Sequence, residues 1–145
     1  LITAAGGAFG AMLRACDIQG VMADWIHAGQ GGAGFAILLA AFAMSSVLKI
    51  AQGSSTVAMI TSATTLAAMG VSSQALGFNL VYLAAVIAGG SIVGGWMNDS
   101  GFWVVSRMSG LTEVETLKTF SIAAAMTGIA VLVFTMLFAW LLPFL

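Results

Sequence analysis

The chain has 145 residues, 61% of them hydrophobic and 6% charged, with a net charge of −1 and a mean hydropathy of +1.10. A soluble domain carries about 25% charged residues, so this chain has too few to cover a surface in water and is expected to be an integral membrane protein of the all-α, polytopic class. The charge balance excludes a nucleic-acid binder, which needs a basic face, and the single Cys16 excludes an internal disulfide and any cysteine-rich metal site.

Residues 1–13 lie in a Gly/Ala-rich apolar run, and the sequence is expected to be a piece of a longer protein. A helical span needs about 20 residues, so this run is short for one, and Gly6, Gly7 and Gly10 weaken it as a helix. The second leg of a re-entrant hairpin, the tail of an upstream span, and glycines that only allow close helix packing all fit it. Arg14 and Asp17 mark an exit to water. Ile18, Val21, Met22, Trp25 and Ile26 then share one helical face, which suits a short helix in the membrane interface. Cys16, Asp24 and His27 lie close in sequence, but nothing completes a nucleophile, base and orienting group. His27 therefore reads as an interfacial surface residue, and 29–34 (Gly-Gln-Gly-Gly-Ala-Gly) as a loop.

The segment 34–69 is apolar except for Lys49-Ile50-Ala51-Gln52-Gly53-Ser54-Ser55-Thr56. In lipid an unpaired backbone group or a lone ammonium costs several kcal/mol, so such an interruption must face protein or a watery cavity. Two geometries satisfy this: one tilted helix unwound at Gln52–Thr56, or two half-length legs meeting at a tip there. In either case Ser54, Ser55 and Thr56 are suited to N-cap the second helical piece. Its first N–H groups would then open on the gap, where a helix dipole attracts anions. A break with donors near the midplane is how transporters hold polar solutes.

The segment 75–97 reads as a full span, with Gly90-x-x-x-Gly94 as a small-residue packing face and Trp96 and Trp103 at the interface. Residues 106–119 carry Arg107, Glu113, Glu115 and Lys118 and are expected to be wet. Within them, Thr112-Glu113-Val114-Glu115 is a capping box with both glutamates in the first turn. The helix it opens continues as the last span, 120–142. Arg107 and Lys118 place the 98–119 loop in the cytoplasm by the positive-inside rule. The approximate membrane segments are thus 1–13, 34–69 (broken at 49–56), 75–97 and 120–142.

Three stretches together resemble the gluconate permease family of bacterial symporters. They are Ile2-Thr3-Ala4-Ala5-Gly6-Gly7-Ala8-Phe9-Gly10, Lys49-Ile50-Ala51-Gln52-Gly53-Ser54-Ser55-Thr56-Val57-Ala58 and Asn98-Asp99-Ser100-Gly101-Phe102-Trp103. Leu111-Thr112 and Glu115-Thr116-Leu117-Lys118-Thr119 are similar to that family as well. The resemblance spans essentially the whole chain and about the C-terminal third of a typical member. It implies a multi-pass transporter of the bacterial inner membrane, not an enzyme, that imports gluconate or a related small hydroxy- or amino-carboxylate with protons. It also implies an ion-transporter fold of two inverted repeats with re-entrant hairpins. The implied partners are the lipid bilayer, the remaining N-terminal part of the permease and a second copy in a homo-oligomer; no cofactor or metal is implied, and sodium stays open as the coupling ion. Lys49 stands where an arginine is expected, which replaces a two-pronged carboxylate grip by a point charge.

The expected substrate-binding residues are Lys49, Gln52, Gly53, Ser54, Ser55 and Thr56, with Gly6 and Gly7. Asn98 and Asp99 are the coupling or gating candidates. Two other readings stand beside transport. A non-transporting helical subunit of a membrane complex would use the Gly90/Gly94 face but would leave the polar break without a purpose. A membrane-embedded hydrolase would lack a nucleophile.

Overall fold

The computed structural model describes residues 33–143. Gly6, Gly7, Gly10, Cys16, His27 and the expectations attached to them lie outside the described residues. Among the described residues every regular element is helical.

Helix α1 spans Ala33–Gln52 and is rich in Ala and Leu, which favour helix. It stops because Gly53 takes the left-handed conformation at φ 75°. The Gly53 N–H donates to Lys49 O at 2.8 Å, the bond expected of a helix closed by a left-handed glycine. The chain reverses through Gly53 and Ser54, and α2 (Ser55–Ala68) runs back along α1. Leu66, near the end of α2, thereby joins Ile37 and Leu38, near the start of α1, in one buried cluster. Of the two geometries open to this segment, the structure takes the hairpin, but its legs are unequal: α1 has 20 residues, the length of a full span, and only α2, with 14, is shorter. The break is also narrower than 49–56: Lys49 to Gln52 stay helical, because a single left-handed residue suffices to turn the chain.

The segment 75–97 is not one continuous helix. It holds the end of α3 (Ser73–Leu76), a restart at Asn79, α4 (Leu80–Gly90) and a turn over 91–94. Asn79 caps α4 by accepting from Val81 N–H at 3.0 Å. The paired packing face also differs from expectation. Gly94 has left the helix at φ 76°, yet it still packs against α1, where a Cβ would lie 2.4 Å from Ile50 Cγ1, and Gly89 adds a close contact on the other side. A Cβ on Gly90 would lie 2.6 Å from Phe42 O, and one on Gly89 would lie 2.8 Å from Val131 Cγ1. These glycines let α4 sit tightly between α1 and the last helix.

After the turn come α5 (Ser100–Ser109), α6 (Glu113–Thr116), a π-helical turn Leu117–Ser121 and α7 (Ile122–Leu141). The capping box forms as the sequence predicts. Glu115 N–H donates to Thr112 Oγ1 at 3.3 Å, and Thr112 N–H donates to Glu115 Oε2 at 2.9 Å. The far end of α7 is tied to the start of α4, since Asn79 N–H donates to Pro143 O at 2.9 Å and Tyr82 Oη–H to Leu142 O.

Among the described residues, two helical stretches are long and apolar enough to cross a membrane, Gly34–Gln52 and Glu113–Leu141. Ser55–Ala68 and Leu80–Gly90 are apolar but shorter. Ile129, Val133, Phe134, Leu137, Phe138 and Trp140 on α7 are all exposed. Such an outer face suits lipid, where an apolar surface needs no cover.

Candidate functional site

Two interrupted regions, far apart in sequence, meet at one end of the bundle: the α1–α2 turn and the 91–99 connection leading into α5. The last turn of α1 leaves carbonyls without helical partners. Ile50 O is taken by Asn98 Nδ2–H at 2.7 Å and Trp96 Nε1–H at 3.0 Å. The connection therefore wraps the end of α1, close enough that a Cβ on Gly53 would lie 2.2 Å from Asn98 O. Glycine is required at 53 twice over, by its φ and by this approach.

The wrap brings Asp99 to Lys49. Lys49 Nζ donates to Asp99 Oδ2 at 2.6 Å and to Gly53 O at 3.0 Å. Lys49 is 2% exposed and the Asp99 side chain 14%. A buried ammonium is tolerated only with such partners. The other Asp99 oxygen, Oδ1, accepts from Gly101 N–H at 2.9 Å and so caps α5. Ser54 has extended backbone and caps α2 by accepting from Val57 N–H at 3.3 Å.

Between the two caps lies a cleft of about 490 Å³, lined by Gln52, Gly53, Ser54, Ser55 and Thr56 from one side and Asn98, Asp99, Ser100 and Gly101 from the other. Its size falls in the roughly 300–1,000 Å³ range of small-molecule sites. Two helices begin on it, each with a partial positive end. A second cavity of about 240 Å³ lies behind the ion pair, lined by Lys49, Ser55, Ile92, Gly95, Asp99, Phe120, Ala124 and Thr127. Ser55 and Asp99 line both spaces. The π-helical turn borders the inner cavity: Ser121 Oγ–H donates to Gly95 O, and Phe120 lies on its wall.

The structure thus gathers Lys49, Gln52, Gly53, Ser54, Ser55, Thr56, Asn98 and Asp99 into one place. Their postures differ. Gln52, Ser55 and Thr56 line the open cleft, Ser54 is occupied as a cap, and the Asn98 amide is committed to α1. Lys49 faces the inner cavity. Sequence reasoning missed the pairing of Lys49 with Asp99, the contribution of Ser100 and Gly101, and the inner wall from Phe120 and Thr127. The 50-residue separation of the ion pair leaves no local signal. Among the described residues no group of three or more His, Cys, Asp or Glu comes together as a metal site would require.

The GntP family permease model matches residues 1–141. The chain belongs to the GntP permease family. It is 32% identical over 128 residues to the low-affinity gluconate transporter of Escherichia coli (strain K12), covering 88% of this chain and 28% of that protein. It is 34% identical over 143 residues to an uncharacterized permease of Haemophilus influenzae, covering 95% of this chain and 28% of that protein. With the gluconate permease of Bacillus subtilis (strain 168) it shares 30% identity over 140 residues, 94% of this chain and 29% of the relative. The chain therefore spans less than a third of these relatives' length. No solved structure matches it. Family membership and the apolar helices agree on an integral membrane protein of a permease family.

Proposed function

We propose that this chain forms the anion-binding part of a proton-coupled permease of the bacterial inner membrane. The substrate is gluconate or a related small hydroxy-carboxylate. The observation that carries the proposal is the cleft itself: a buried cation with a carboxylate partner, at the meeting point of two helix starts. A carboxylate needs donors that keep their strength in low dielectric. First-turn N–H groups of α2 supply them without burying another full charge, and Lys49 supplies the charge. The hydroxyls of Ser55, Thr56 and Ser100 suit the hydroxyls of a sugar acid. Matching relatives are named gluconate transporters and permeases, which favours that substrate class.

In this reading the α1–α2 hairpin is a re-entrant element whose tip, Gly53 and Ser54, lies inside the membrane layer and faces protein. In the same reading, further helices of the full-length permease complete the pathway as an inverted repeat. The test is uptake of radiolabelled gluconate by the full-length permease containing this chain, in vesicles with and without an inward proton gradient. Accumulation driven by the gradient supports the proposal. No uptake of gluconate or related sugar acids under either condition overturns transport and favours a non-transporting subunit. Uptake that follows a sodium gradient instead overturns proton coupling.

A further inference from the structure

The Lys49–Asp99 pair stands between two spaces, the polar cleft of about 490 Å³ and the inner cavity of about 240 Å³. Its partners are unequally reachable. Lys49 is 2% exposed and lines only the inner cavity, whereas the Asp99 side chain is 14% exposed and lines both. A solute entering from the cleft therefore meets Asp99 before it meets the ammonium.

We propose that this pair couples transport by carboxylate exchange: the substrate carboxylate replaces Asp99 on Lys49, and Asp99 takes up a proton as it is displaced. The inference rests on the reading that the cleft takes a small hydroxy-carboxylate. Charge is its physical basis. The pair is neutral as it stands, and among the residues lining the two spaces Lys49 and Asp99 are the titratable ones. Glu115 and Lys118, on the neighbouring helical stretch, are exposed. Adding one carboxylate leaves a net negative charge in low dielectric, which is costly, and adding one proton removes it. No covalent bond of the substrate changes. An O–H bond forms at Asp99 Oδ2 with a proton from water in the cleft, and Lys49 stays protonated throughout.

The geometry provides for each step. An ammonium has three donors, and Asp99 Oδ2 and Gly53 O take two of them. An incoming carboxylate reaches the ammonium from the cleft as Asp99 moves aside, and the third donor is then there to receive it. The Gly53 carbonyl keeps Lys49 at the tip when Asp99 lets go. Asp99 Oδ1 can go on accepting from Gly101 N–H after the acid is protonated, so α5 stays capped through the exchange. Release of the pair also frees the inner cavity behind it, which turns a bound substrate into the plug between cleft and cavity.

The test uses the full-length permease in proteoliposomes. The wild type is measured first: without gradient-driven gluconate accumulation the transport reading itself fails, whatever Asp99 does. With one proton per anion, a gradient of about one pH unit supports about tenfold accumulation. In Asp99→Asn that accumulation should collapse to equilibration, while counterflow, which needs no net proton movement, should fall far less. Purified wild type in weak buffer should take up about one proton per gluconate bound. Asp99→Glu should retain that uptake and Asp99→Asn should lose it. The inference is overturned if Asp99→Asn still accumulates gluconate, or if the wild type binds gluconate without taking up a proton. It is equally overturned if Asp99→Asn and Asp99→Glu both lose binding altogether, since Asp99 would then be a helix cap alone.

Discussion

The two ends of α1 solve opposite problems. At its start, Gly34 packs so closely that a Cβ would lie 2.1 Å from Leu76 O. There Phe35 packs at a tilt on Phe78 at 5.7 Å and Phe78 meets Tyr82 edge to face at 6.0 Å, beside the fully buried Leu38 and Val86. At its end the helix stops on a glycine, buries a cation and faces a polar cleft. One end is held by shape and the other by hydrogen bonds and charge. A protein that moves a polar solute needs both. The apolar end keeps the hairpin in place, and the polar end can exchange partners because its contacts are few and directional. Substitutions at the two ends should therefore separate stability from transport.

The largest effect is expected at the ion pair. Lys49→Ala leaves Asp99 partly buried without its cation, a loss of about 3–5 kcal/mol if the carboxylate stays charged. Gluconate uptake by the full-length permease should fall below detection, while Lys49→Arg, which keeps the charge and can fork onto the carboxylate, should retain measurable uptake. Equal loss in both would show that the ammonium shape, not its charge, is what the site needs. Phe78→Ala at the other end should cost about 3 kcal/mol of stability. It should be seen as a lower melting temperature in detergent, with the apparent affinity for gluconate little changed in the protein that remains folded.

Gly53→Val should strain the turn by about 2–3 kcal/mol from its φ alone, with further displacement of Asn98. Both uptake and the Trp96 environment, followed by fluorescence, should change. The smallest effects belong to single hydroxyls. Ser54→Ala removes the α2 cap, worth about 1 kcal/mol. Thr56→Ala removes one cleft hydroxyl, for a rise in the apparent Km of about tenfold if it bonds the substrate. Wild-type Km in Thr56→Ala would take that hydroxyl out of the substrate contacts.

Much of the local structure was legible in the residues. Gly53 followed by serines announces a helix end and a new cap, because φ preference and cap chemistry act within a few residues. The Thr112/Glu115 box was legible for the same reason, and so was the apolar 120–142 helix. The Gly90-x-x-x-Gly94 pair does pack on α1, against Phe42 and Ile50, but not as one helical face: the chain leaves the helix after Gly90, and Gly94 makes its contact from a left-handed turn. The π-helical turn at Leu117–Ser121 sits where the polar stretch passes into the apolar helix, and no Gly or Pro announces it.

What the sequence determined by itself is therefore the membrane class, the helical content and the position of the break, since composition, periodicity and backbone preference are properties of neighbouring residues. What only the tertiary structure decided is where that break faces. The choice of a hairpin over a tilted helix depends on α2 finding α1. The partner of Lys49 depends on a connection 50 residues away wrapping the end of α1. A charge in an apolar segment demands a partner on energetic grounds, but packing alone decides which carboxylate comes within 2.6 Å of it.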